Sequence, residues 1–133
     1  MSETPGSDPR LGLTVTHRRY VPYSHAHYAG NLVDGAYGLG LFGDVATELC
    51  ILTDGDEGLF ASYDDVQFRA PVRAGDVVEA SAELVRAGTR SRVMAFTLTV
   101  VARGAATAAQ PGAAVVLDPP IVATTATGTV VVP

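Results

Sequence analysis

The residue types with the most chemical promise stand in one apolar run, LVDGAYGLGLFGDVATELCIL, which carries Asp34, Asp44 and Glu48. Stepped as a helix at about 100° per residue, the three acids fall within an arc of roughly 80°. Asp44 and Glu48 stand four apart, a like-charge pair that repels mildly even on a wet helix surface. Among apolar neighbours, one of the two must hold a proton or both must face a cation. That is the chemistry of an acid–base or cation-binding site. On a solvated helix edge the same pair would be an ordinary acidic face. Asp34, near the helix start, also suits the positive end of the helix dipole.

Just ahead lies the polar stretch YSHAHYAGN, with His25, His27 and Tyr28. Two histidines two residues apart, with no third His nearby and no Cys partner, give no metal-ligand set, and a metal is not expected. The single Cys50 excludes an internal disulfide framework and reads as a small buried hydrophobe. GLGLFG lies inside the apolar run and follows no strand, so it is no dinucleotide fingerprint. No Ser nucleophile elbow is present.

Positioning these residues requires a helix and a sheet. The helix is expected from Asn31, as its N-cap, to about Thr53, where Asp54-Gly55-Asp56 supplies turn chemistry. Ala36, Gly40, Gly43, Thr47 and Cys50 form a stripe of small residues, which the reading assigns to close approach to a sheet. Leu11–Val21 alternates as a strand that Pro22 ends. Leu59–Tyr63 and Val66–Ala70 read as two short strands or one bent strand. Val77–Arg86 and Arg92–Val101 are long alternating strands, and Thr124–Val132 is the last. Gly104–Pro120, rich in Ala, Gly and Pro, reads as an irregular excursion. One long helix and about five mostly consecutive antiparallel strands make an α+β domain, with the helix on one sheet face.

The 133 residues fit one domain over residues 11–133 behind a flexible N-terminal tail, residues 1–10. Nine arginines, no lysine and a net charge of −5 argue against nucleic-acid and membrane-surface partners. The opening MSETPGSDPR lacks the basic start and apolar middle of a signal peptide, and a cytoplasmic location is expected.

The stretch FRAPVRAGDVVEASAELV after the helix, with its Pro at a strand boundary and its Gly-Asp turn, resembles the hotdog fold: a sheet wrapped around one long helix. The runs HAHYAGNLVDGAYGLGLFGDVATEL and DGDEGLFASYDDVQFRAPVRAGD are similar to the small hotdog ammonia lyases that act on β-amino acyl-CoA thioesters. The resemblance covers roughly residues 25–96. It implies reversible elimination of ammonia, as from 3-aminobutyryl-CoA to crotonyl-CoA, with no cofactor other than the coenzyme A carried by the substrate. It implies Glu48 as the base, with Asp34 and Asp44 holding the ammonium, roles that spacing alone leaves exchangeable. It places the thioester carbonyl at the helix N-terminus, where Asn31 and Gly35 let a ligand approach backbone and His27 and Tyr28 line the mouth. Tyr63 would reach across a dimer interface, and Arg90 and Arg92 would take the CoA phosphates; an amphipathic strand aromatic and solvated turn arginines are the plainer alternatives. A homodimer or larger homo-oligomer with sites at the interface is expected, since one unit leaves a sheet edge uncovered. A hotdog thioesterase, an enoyl-thioester hydratase and a non-catalytic acyl-CoA-binding module remain open beside it.

Overall fold

The computed structural model describes residues 8–133. Its strands are β1 (Thr14–Tyr20), β2 (Ala26–Tyr28), β3 (Leu32–Val33), β4 (Leu59–Phe68), β5 (Val77–Ala87), β6 (Ser91–Gly104) and β7 (Ala114–Val131). The helix α1 spans Gly35–Asp54. Five strands form one antiparallel sheet in the order β1-β5-β6-β7-β4, and β2 and β3 pair beside it.

Alternation builds the sheet. On β5, Val78, Ala80, Ala82 and Leu84 are buried; on β6, Met94, Phe96, Leu98 and Val100 are. Both sets face α1, which packs chiefly across β5. The helix replies with Gly38, Phe42, Val45, Ala46, Leu49 and Cys50. Phe42 stacks on Phe96 with ring centroids 5.0 Å apart. Burying a side chain such as Phe42 or Leu49 stabilises the fold by about 1.5–3 kcal/mol. By length and composition α1 could cross a membrane, but here its apolar face is spent on the sheet.

The small-residue stripe, apart from buried Cys50, is on the other side. Ala36, Gly40 and Thr47 are exposed, and a Cβ added at Gly40 or Gly43 would meet nothing within 4 Å. Close approach comes instead from Gly38, where a Cβ would stand 2.9 Å from Leu98, and from Ala80 and Ala82 on β5. The expected direction of the stripe is therefore reversed.

The helix boundaries also shift. Asp34, not Asn31, is the N-cap: its side chain accepts the Tyr37 N–H at 3.1 Å. Asn31 sits three residues upstream at φ 60°, after Gly30 at φ 73°, a left-handed corner that lets β2 fold back on β3. At the far end Gly55, at φ 65°, closes the last turn onto the Ile51 carbonyl.

β4 is one bent strand, with Asp65 at φ 50° inside its second irregularity. The expected excursion at Gly104–Pro120 is mostly ladder: Ala102 pairs with Val116, Arg103 with Val115 and Gly104 with Ala114. Its turn spans residues 105–113, and the β-branched Val115 and Val116 carry the returning arm. Of the expected flexible tail, residues 1–7 lie outside the described residues. From Asp8 onward the chain is held, because Arg10 binds Asp8 at 2.7 Å and Asp54 at 3.0 Å.

Candidate active site

A cavity of about 640 Å³ opens at the N-terminus of α1. Its walls come from three places: His27 and Tyr28 on β2, Asp34 with the first turn of α1, and Phe68, the last residue of β4, with the four residues after it. Leu98 and Thr124, both buried, form part of its wall.

Asp34 serves two neighbours. One carboxylate oxygen caps the helix, and the other lies 3.8 Å from His27 Nδ1. Because Asp34 takes the Tyr37 N–H, the backbone N–H groups of Gly35 and Ala36 remain in the first turn without a partner from that side chain. They point, with the positive end of the helix dipole, where an anion or a polarised carbonyl oxygen is favoured. Gly35 lets the exposed Phe68 ring lie against the first turn, in the space its Cβ would take. Tyr37 closes the side of the cavity against His25, ring centroids 4.5 Å apart, and burial pushes its phenol pKa up.

The wall from Ala70 to Val72 is fixed from behind. Buried Asp76 accepts from the Arg73 N–H at 2.8 Å and from two nitrogens of Arg103 at 2.9 and 3.0 Å. Arg103 also donates to the Pro71 carbonyl. This gives the Gly-Asp turn its physical content: the aspartate ties the turn to β6 and sets where the cavity wall runs.

Across residues 35–100 the chain matches the model of the thioesterase superfamily. It is 53% identical over 110 residues to the 3-aminobutyryl-CoA ammonia lyase of Acetoanaerobium sticklandii, covering 81% of this chain and 85% of that protein. The chain belongs to the hotdog-fold acyl-CoA ammonia lyases. Among solved structures of this lyase family, β-alanyl-CoA:ammonia lyase from Clostridium propionicum superposes with a TM-score of 0.86 at 37% identity, over 92% of this chain and 86% of that one. A hexameric hotdog thioesterase of Campylobacter jejuni shares the fold at a TM-score of 0.71 and 22% identity, over 86% and 79% of the two chains.

Within this lyase chain, the residues expected at the site divide into groups. His27, Tyr28, Asp34 and Gly35 line the cavity; Asn31 stands beside it without lining it. Asp44 and Glu48 do not reach it. A helix rises about 1.5 Å per residue, so Glu48 stands about 21 Å along the axis from Asp34 and Asp44 about 15 Å. The shared arc is real, but one small substrate cannot touch all three acids of one chain. Asp44 and Glu48 are exposed on the small-residue face, and Glu48 Oε1 lies 2.7 Å from His17 Nε2.

Tyr63 does not line the cavity either. Its hydroxyl donates to the Leu39 carbonyl and its ring packs between Phe60 and Phe96. Arg92 is structural: buried, it binds Asp54 through two nitrogens at 2.7 and 2.9 Å and donates to the Gly88 and Ser91 carbonyls. It has no face left for a phosphate. Arg90 donates to the Val132 carbonyl. Both lie toward the C-terminal end of α1, opposite the cavity. The guanidinium that does line the cavity belongs to Arg69, exposed beside Phe68 and anchored on Thr125 at 3.2 Å. Cys50 is no nucleophile, since burial pushes its thiol up to about 11.

Proposed function

We propose that this chain eliminates ammonia from 3-aminobutyryl-CoA to give crotonyl-CoA, and runs the reverse addition. The observation that carries this reading is the 53% identity, over most of both chains, to a lyase named for that substrate. The site geometry agrees with what the reaction needs.

The hydrogen on the carbon next to the thioester is weakly acidic. Its removal calls for a positioned base and for donors at the developing enolate oxygen. The first-turn N–H groups of α1 are such donors, fixed before the substrate arrives. Glu48 takes the α-proton, the bonding pair becomes the new C=C, and ammonia leaves with the C–N pair. It then collects the proton from Glu48 and departs as ammonium. Asp34, at the cavity, grips the substrate cation beforehand, and Arg69 at the mouth faces the anionic CoA handle. No cofactor beyond the CoA of the substrate enters this sequence, and a CoA substrate accords with a cytoplasmic location.

Since Asp34 and Glu48 of one chain stand about 21 Å apart along the helix, the site is shared between two chains. Glu48 and Asp44 of one protomer complete the cavity of the next. The uncovered face of Ala36, Gly40, Gly43 and Thr47 supports this, because it lets a second helix come close. The edge of β4, unpaired among the described residues and carrying exposed Leu59 and Phe68, supports it as well.

The test mixes purified protein with crotonyl-CoA and ammonium. Enoyl-thioester absorbance and free thiol are followed together, with Glu48→Gln as control. The expected result is ammonium-dependent loss of absorbance without thiol release, strongly slowed in the variant. Release of thiol would move the chain to the thioesterases, and an unchanged absorbance with crotonyl-CoA would reject this substrate.

A further inference from the structure

β1 runs along one sheet edge, and its alternation turns Val15, His17 and Arg19 toward α1 while Arg18 turns outward to Glu79. His17 stands level with Glu48, its Nε2 2.7 Å from Glu48 Oε1. The pair is asymmetric: the His17 side chain is 19% exposed and that of Glu48 51%. The ring is thus held by the fold, and the carboxylate is held by the ring.

Arg19 favours one direction for the bond. Its Nη2 lies 3.4 Å from His17 Nδ1. A guanidinium has only donors, so with Nδ1 accepting from it the ring hydrogen sits on Nε2, aimed at Glu48. The order is Arg19 to His17 to Glu48, each donating to the next. Asp44, one turn before Glu48 on the same face, pushes the other way as a like charge. Without His17, a glutamate on an exposed helix face beside another acid has several open rotamers.

The geometry points to His17 as a positioning residue that holds Glu48 in one rotamer, with Oε1 engaged and Oε2 left for the substrate proton. This rests on the reading of Glu48 as the base. His17 touches no reacting atom, so its effect falls on kcat and leaves substrate binding alone. A glutamine at this position can restore it, because its amide nitrogen reaches nearly as far as Nε2 and donates in the same way.

The experiment compares steady-state amine addition for wild type, H17A, H17N, H17Q, E48Q and the double variant H17A/E48Q, each checked by thermal melting. H17A is expected to lower kcat by about tenfold to a hundredfold, a part of what a positioned base supplies, with KM nearly unchanged. H17N, too short to reach Glu48, is expected to match H17A and stands in for it if H17A does not fold. H17Q should recover most of the rate. On the E48Q background, H17A should cost nothing further, the signature of two residues acting through one group. Equal losses in H17A and H17Q, a normal rate in H17A, or an undiminished loss on the E48Q background would each overturn the positioning role. A normal rate in E48Q would instead overturn the base reading itself, whatever His17 does.

Discussion

Asp34 carries two duties that can be separated. As N-cap it satisfies the Tyr37 N–H, and as a charge it faces the cavity beside His27. Asparagine caps a helix about as well as aspartate, whereas alanine costs about 1 kcal/mol. D34N should therefore melt close to wild type, while its kcat/KM for the aminated thioester falls. D34A should lose both, and melting curves with steady-state kinetics on the two variants check this. His27, Tyr28, Asp34 and Gly35 were legible in the sequence because they are neighbours in it. Phe68, Arg69, Leu98 and Thr124 were not, because β4, β6 and β7 bring them in from a distance. Asp34, Asp44 and Glu48 of one chain do not meet at one cavity for a physical reason: they share an angle around the helix but not a position along it.

At the scale of elements, the helix ends matter as much as its faces. Asp54 closes the C-terminal end by binding Arg92 and Arg10. The Arg92 guanidinium beside it holds its carboxyl below the usual carboxylate range. A lowered folded pKa means stability that is fully present above the unfolded value, near 3.9, and lost as pH falls through the folded one. R92M, which fills the site without charge, should shift the acid-unfolding midpoint to higher pH, as followed by circular dichroism; an unchanged midpoint would show that the pair is not linked to folding. The alternation of β5 and β6 was easy to read, since each has one face wholly buried. The β6–β7 extension was not, because its Ala and Gly residues carry little strand preference and pairing between backbones decides it. The stripe on α1 was seen, but its direction depends on Ala80 and Ala82 of the opposing strand.

At the scale of the whole molecule, a cavity with Asp34 at one end of α1 and Glu48 on the open face predicts sites built from two chains. D34N and E48Q chains, each impaired alone, form mixed dimers with one intact and one doubly altered site. A one-to-one random mixture should recover about a quarter of wild-type activity if the interface is isologous, as measured after co-refolding. Sites contained in single chains would recover none.

Mass spectrometry of the thioester, after incubating the enzyme with crotonyl-CoA and nitrogen-labelled ammonium, tests the lyase activity at the reacting carbon itself. The expected product is an intact CoA thioester with the label on the β-carbon. Free CoA with crotonate, or an unlabelled β-hydroxyacyl-CoA, would contradict it.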